Sequence, residues 1–298
     1  MAAAETGGTP PTGYIRRLLR RRELWWGNPF RWGSWRSYPE ALRRRLERHT
    51  FRSASDPDAL WRRGAYWQRT LVNKWNGREF ARRHGAAVPE LYWWGRRIRA
   101  IPFESLPSRF AIRPVWGFVR KGVHVVVDGT EILRGEPAAP ADLRRRLHEL
   151  WGSFRTAPVL VEQFVESEPG CRRLPVEYKC HTFAGDVAAI GVIERAHDKA
   201  ATVRWYTPAW EPFPDRMANA WPAGEVRGPP GFLGEMLDLA GRMGRAIGTY
   251  MRIDFFGTDR GCVFNEFSST PMVVKPDYTP FCNAFLEARW RERCPEAT

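Results

Sequence analysis

The stretch from Tyr250 to Ser268 contains two runs of alternating character separated by Gly257-Thr258-Asp259-Arg260-Gly261. Side chains alternate across a strand with period two, so a pair of strands here puts Arg252, Asp254, Glu266 and Ser268 on one face. Met251, Ile253, Phe255, Val263 and Phe267 then point the other way, into a core. The glycines and polar residues between the runs suit a short hairpin loop. Two carboxylates and an arginine therefore converge on one spot. Taken alone, the pattern fits either an ion pair on a solvated sheet face or a binding site built from those charges.

The chain has 298 residues, 43% hydrophobic and 13% aromatic, enough to bury a core in one large lobe or two to three small ones. No run of about 18 apolar residues is present to span a membrane, and no apolar leader follows the N-terminal arginines. A soluble, cytoplasmic protein is the expectation. Cys171, Cys180, Cys262, Cys282 and Cys294 form no C-x-x-C pair and read as reduced thiols. The histidines show no H-E-x-x-H spacing, and G-x-S-x-G is missing, so common hydrolase chemistries find no support. Net charge is +14, with much of the excess in the first hundred residues. That field suits nucleic acid, an anionic membrane, a polyanionic glycan or a nucleotide triphosphate, and arginines on solvated helix faces would account for it equally.

Along the chain, residues 1–13 are small, polar and rich in Pro and Gly, and read as a mobile tail. Tyr14 to Arg63 interleaves arginines with tryptophans over two or three short helices, a docking face or an anion patch. A helix is predicted from the N-cap Asn73 to Gly85. Strand character follows at Phe110 to Pro114 and Val123 to Val127, around a glycine loop, Trp116 to Gly122, whose amides and cations could cover phosphate oxygens. An amphipathic helix is predicted over Ala141 to Trp151, then strands at Pro158 to Val165, Val176 to Phe183 and Val187 to Arg195. Glu162, Glu177 and Lys179 are charges within apolar strands, costly unless each meets a partner. Tyr206 to Pro230 reads as a long loop, Phe232 to Ile247 as a helix and Ala284 to Arg293 as a last short helix. No internal repeat occurs.

The series Asn73-Lys74 with Arg78 and Gly85, Ile112-Arg113-Pro114 with its glycine loop, Leu160-Val161-Glu162, Glu177-Tyr178-Lys179, Arg252-Ile253-Asp254 and Asn265-Glu266-Phe267-Ser268 resembles the ATP-grasp superfamily, in particular its teichuronopeptide-synthesis (TupA-like) branch. The resemblance implies an α+β, ATP-grasp fold of two α+β lobes clasping a nucleotide, preceded by a short basic helical N-terminal region. The implied division is a tail at 1–13, a basic and largely helical region at 14–105, a small lobe with the lid loop at 106–165 and a large lobe with the metal site at 166–298. It further implies that Lys74 and Arg113 grip the ATP phosphates, Arg113 standing where most relatives carry lysine, and that Gly117, Lys121 and Gly122 belong to the lid. Glu162, Gln163, Phe164 and Val165 would form the adenine hinge and Glu177 would hold the ribose, with Lys179 and Arg195 facing phosphate or substrate. Asp254, Glu266 and Ser268 would bind Mg²⁺, or Mn²⁺ in its place, Ser268 replacing an asparagine common in relatives. Arg252 would steady the transferring phosphoryl group.

Phosphoryl transfer needs cations and Mg²⁺ to offset phosphate charge and little covalent help from the protein, which suits a chain without an evident nucleophile. The expected activity is ATP-dependent joining of a carboxylate to an amine through an acylphosphate, with ADP and phosphate released. A kinase acting on a hydroxyl or carboxyl group is the alternative within the fold, and a non-catalytic module for nucleic acid or anionic glycan the alternative outside it. An acidic, peptide-like or glycan-linked acceptor is the expected partner, and a homo-oligomer is compatible with the sequence.

Overall fold

The computed structural model describes residues 50–64, 67–116, 122–154, 158–197, 200–214, 216–218, 221–269 and 278–294. The tail, the Arg/Trp-rich segment as far as residue 49, and lid residues Gly117 and Lys121 lie outside the described residues.

Helix α1 (Lys74–Arg83) begins where the Asn73 side chain accepts from the backbone N–H groups of Trp75 and Asn76. It ends just before Gly85, whose φ of +79° favours a residue without Cβ. The strands β1 (Leu91–Gly95), β2 (Arg109–Pro114), β3 (His124–Val127), β4 (Thr130–Glu131) and β5 (Glu136–Pro137) follow, then helix α2 (Pro140–Phe154) and β6 (Val159–Gln163). They form an antiparallel sheet in the order β1-β6-β2-β3-β4-β5. Asp128 and Gly129, with φ of 47° and 79°, make the two-residue turn from β3 to β4. Leu143 and Leu147 of α2 bury against Ile112, Val126 and Val161. Strand β1 falls within the stretch read as largely helical, and belongs to this sheet through its pairing with β6.

The second sheet takes β7 (Glu177–Phe183), β8 (Asp186–His197) and β9 (Ala200–Tyr206), then, after helix α3 (Leu233–Ile247), β10 (Tyr250–Thr258) and β11 (Gly261–Ser268). Its order is β11-β10-β7-β8-β9, all antiparallel. Met236, Leu239, Ala240, Met243 and Ile247 of α3 pack on Cys180, Ile190, Met251, Ile253 and Phe255. Leu71 and Phe80 join the same core, Phe80 with its ring 5.8 Å from that of Phe267. Helix α1 therefore precedes the first sheet in sequence but packs on the second. That contact delivers Lys74 to the hairpin.

The hairpin departs from simple alternation at one place. Arg252, Ile253 and Asp254 pair with Ser268, Phe267 and Glu266, whereas Phe255 pairs with Phe264, so Asn265 is an extra residue in β11. The bulge reverses parity beyond it. Cys262 and Phe264 are the buried core residues, and Val263, expected in the core, is only partly buried on the other side. The loop is also tighter than the five residues expected, since Thr258 pairs with Gly261. Helix α4 (Pro280–Arg293) starts four residues before the sequence reading because Thr279 caps it and Pro280 occupies a first-turn position, where no amide donor is needed.

Candidate active site

Cross-strand register lines up the charges of the second sheet. Asp254 stands between Lys179 on β7 and Glu266 on β11, and Arg252 stands between His181 and Ser268. Asp254 is fully buried and both its oxygens are engaged. Arg252 Nε and Nη2 donate to Oδ1 and Oδ2 at 2.7 and 2.8 Å, and Lys179 Nζ donates to Oδ2 at 2.5 Å. Lys179 also meets Glu177 at 3.1 Å, and Arg195 closes on Glu177 through Nε and Nη2 at 3.0 and 3.3 Å. The Arg195 guanidinium lies 4.9 Å from the Trp221 ring centroid. Arg252 donates to Ser268 Oγ at 2.9 Å and approaches Glu266 Oε1 at 3.7 Å, while Lys74 approaches Glu266 Oε2 at 3.6 Å. An unbroken ribbon of opposite charges thus runs from Lys74 through Glu266, Arg252, Asp254, Lys179 and Glu177 to Arg195.

Arg113 brings the first sheet to this ribbon. Its Nη2 meets Glu162 Oε1 at 2.6 Å, a diagonal neighbour on the same sheet face, and its Nη1 donates to Asn265 Oδ1 at 2.6 Å. The bulge that ejects Asn265 from the pairing supplies this bond between the sheets. Lys74 N–H donates to Val115 O at 2.8 Å, a second tie at the same place.

Burial shapes the protonation of these groups. Desolvation opposes the Arg252 charge, and the adjacent Asp254 more than offsets it, so the guanidinium stays charged with a raised pKa. Desolvation would lift Glu177, yet Lys179 and Arg195 together bring it down to about 2. Burial, assisted by Arg113, lowers Lys74 against the pull of Glu266. His181 is held neutral, its pKa well below normal, by burial and by Arg252 and Lys179.

The pattern of the TupA-like ATPgrasp family matches residues 68–281, which takes in the whole ribbon. The chain belongs to the TupA-like ATPgrasp family. Its fold is that of solved ATP-grasp ligases. D-alanine–D-alanine ligase from Bacillus anthracis superposes with a TM-score of 0.51 at 16% identity, over 76% of this chain and 69% of that one. VanG D-Ala:D-Ser ligase from Enterococcus faecalis gives 0.50 at 17% identity, over 77% of this chain and 63% of that one, so the chain spans less than two thirds of the VanG length. No curated protein matches in sequence.

Within this TupA-like ATPgrasp chain, Lys74, Glu177, Lys179, Arg195, Arg252, Asp254, Glu266 and Ser268 come together on the second sheet, with Arg113 and Glu162 reaching them through Asn265. The expected hinge is engaged in pairing at its start, since Glu162 pairs with both Leu91 and Ala111, and Gln163 N–H donates to Glu90 O. Phe164 and Val165 follow the end of β6, with Phe164 buried against Val125, Val127 and Leu133. Gly122 stands at the turn into β3 with φ +78°.

Asn265, His181 and Tyr278 were not legible as site residues. His181 shares the face of Arg252, its Nδ1 is 2.9 Å from Tyr250 Oη, and its ring packs against Trp205 and Tyr278. The adjacent parity violations Phe264, apolar on the charged face, and Asn265, polar on the core face, were the available signal for the bulge.

Asp254, Glu266 and Ser268 offer the hard oxygens that Mg²⁺ prefers. Among the described residues no three His, Cys, Asp or Glu side chains gather as a cage. Glu266 fits an ion that takes its remaining ligands from phosphate oxygens and water, whereas Asp254 would join it only by giving up contacts to Arg252 or Lys179 that now hold both its oxygens. Glu266, with 31% of its side chain exposed and only long ion pairs, is the accessible carboxylate.

Proposed function

We propose that this protein is an Mg²⁺- and ATP-dependent ligase that joins a carboxylic acid to an amine through an acylphosphate. Family and fold support an ATP-dependent ligase in general terms, and the ribbon from Lys74 to Arg195, closed by Arg113, is the observation that carries the reading. Lys74 and Arg113 would take the phosphates, and the backbone of 162–165 the adenine, with Phe164 and Val165 beyond the last paired residue of β6. Glu177, now clamped by Arg195 and Lys179, would meet the ribose. Glu266 and Asp254, with Ser268, would hold Mg²⁺, which supplies charge neutralisation at the phosphate oxygens. Arg252, kept charged and fixed by Asp254, is positioned to offset charge developing on the transferring group. Cations already ordered by protein carboxylates need little rearrangement as that charge develops.

The decisive experiment incubates the protein with Mg²⁺, ATP and pools of carboxylic acids, with hydroxylamine as trap. ADP release with hydroxamate formation, converted to an amide product when amines are supplied, supports the reading. A stable phosphorylated product without any amine requirement would establish a kinase instead. Steeply salt-dependent polyanion binding that survives Glu266→Ala, with no ADP formed, would establish a binding module.

A further inference from the structure

Strands β7 and β8 carry the charged site on one face and a cavity on the other. Tyr178 alternates with Glu177 and Lys179, and Glu194 precedes Arg195, so neighbouring residues of the same strands serve opposite sides. The cavity, about 170 Å³, is lined by the rings of Tyr178, Tyr206 and Trp210 and by Glu194, Glu225 and Arg227. Its aromatic wall is firmly built. Tyr206 and Trp210 stack in parallel, centroids 4.3 Å apart at 9°. Tyr206 Oη accepts from Arg227 N–H at 2.9 Å, and Trp210 Nε1 donates to Arg227 O at 2.8 Å. Trp210 holds a φ of +65°, a left-handed conformation that bulky residues rarely adopt.

We propose that this cavity binds a small organic cation, a quaternary or alkylated ammonium group. Aromatic rings attract cations through the negative potential of their faces, and carboxylates beside them add directly to that pull. Two acids on an aromatic pocket stand out in a chain of net charge +14. The protein already places a cation of its own there, the Arg227 guanidinium 2.6 Å from Glu194. An incoming ammonium would compete with it for the acid, while Glu225 offers a second, exposed carboxylate.

The test uses the full chain with tetramethylammonium, choline and the neutral choline isostere 3,3-dimethylbutanol, followed by calorimetry and ligand-observed NMR. Saturable binding of both cations at millimolar concentration is expected, with the alcohol at least tenfold weaker. Glu225→Gln should weaken binding several-fold, and Arg227→Ala, which removes the competing charge and keeps both backbone bonds, should strengthen it. Trp210→Gly should abolish binding, with circular dichroism checking that the fold persists. Equal binding of the alcohol, no binding of either cation, or affinities unmoved by Glu225→Gln and Arg227→Ala would overturn the proposal. None of these readouts uses ATP turnover, so failure here leaves the ligase reading untouched.

Discussion

Arg113 and Asn265, 152 residues apart in sequence, meet at 2.6 Å and join β2 of one sheet to β11 of the other. Arg113 simultaneously neutralises Glu162, which is 3% exposed. Arg113→Ala removes that carboxylate's 2.6 Å partner and leaves it buried with only the more distant charges of Arg78 and Lys74, a change that costs up to about 3 kcal/mol. The denaturant midpoint should fall accordingly. Arg113→Met combined with Glu162→Leu should recover most of the loss while nucleotide affinity stays impaired, separating stability from phosphate binding.

Glu266 and Asp254 face each other across the hairpin and should respond differently to neutralisation. Glu266 is partly exposed and held by ion pairs of 3.6 and 3.7 Å, so Glu266→Gln should cost less stability than Asp254→Asn, the remaining cost coming from buried Lys74 losing its counter-charge. Its ADP release should nevertheless fall by about 10²–10³-fold. Asp254→Asn removes the counter-charge of buried Arg252 and Lys179, and should lose both turnover and about 3 kcal/mol of stability. Calorimetric melting beside a coupled ADP assay distinguishes the two patterns.

Acid should weaken the fold in two stages. His124 is buried, its Nδ1 accepting from Arg134 at 3.2 Å, and burial with the nearby arginines lowers its pKa to about 4. Between its ordinary 6.5 and about 4 the unfolded chain gains a proton that the folded chain refuses, so stability falls as pH falls through that window. Glu177, depressed from 4.5 to about 2, continues the loss between those values for the same reason. Urea midpoints measured from pH 7 to pH 3 should decline throughout, and His124→Gln should make the upper part shallower without removing it, since buried His181 contributes to the same window.

Helix α3 touches the turn between β7 and β8 at two glycines. A Cβ on Gly244 would lie 2.8 Å from Gly185 Cα and 2.9 Å from Gly185 N, backbone atoms with little room to give. Gly244→Ala should therefore cost about 1–3 kcal/mol despite the better helix propensity of alanine. A higher melting temperature in this variant would mean that the helix can lift off the sheet without penalty.

Much of the site was legible because strand periodicity is local. Arg252, Asp254, Glu266 and Ser268 share a face since each lies an even step from its neighbour on the same side of the bulge. Val263 lies beyond Asn265, where one inserted residue reverses the rule, and only the flanking exchange of Phe264 and Asn265 marks it. The placement of α1 on the second sheet was not readable, because it depends on tertiary contacts of Phe80 and Leu71 that no spacing encodes. The β4–β5 pair was missed because two-residue strands offer too little alternation to stand out, whereas the alternation of Ala201, Val203 and Trp205 with Thr202 and Arg204 in β9 was a usable signal.

Lys74, Arg252, Lys179 and Arg195 take turns with Glu266, Asp254 and Glu177, so every carboxylate of the strip has cationic neighbours before anything is added to it. Its folding should then be indifferent to chelators, unlike that of small domains that a structural ion assembles. The protein should purify intact in EDTA and regain turnover on simple resupply of magnesium, a practical route to loading the site with ions of choice.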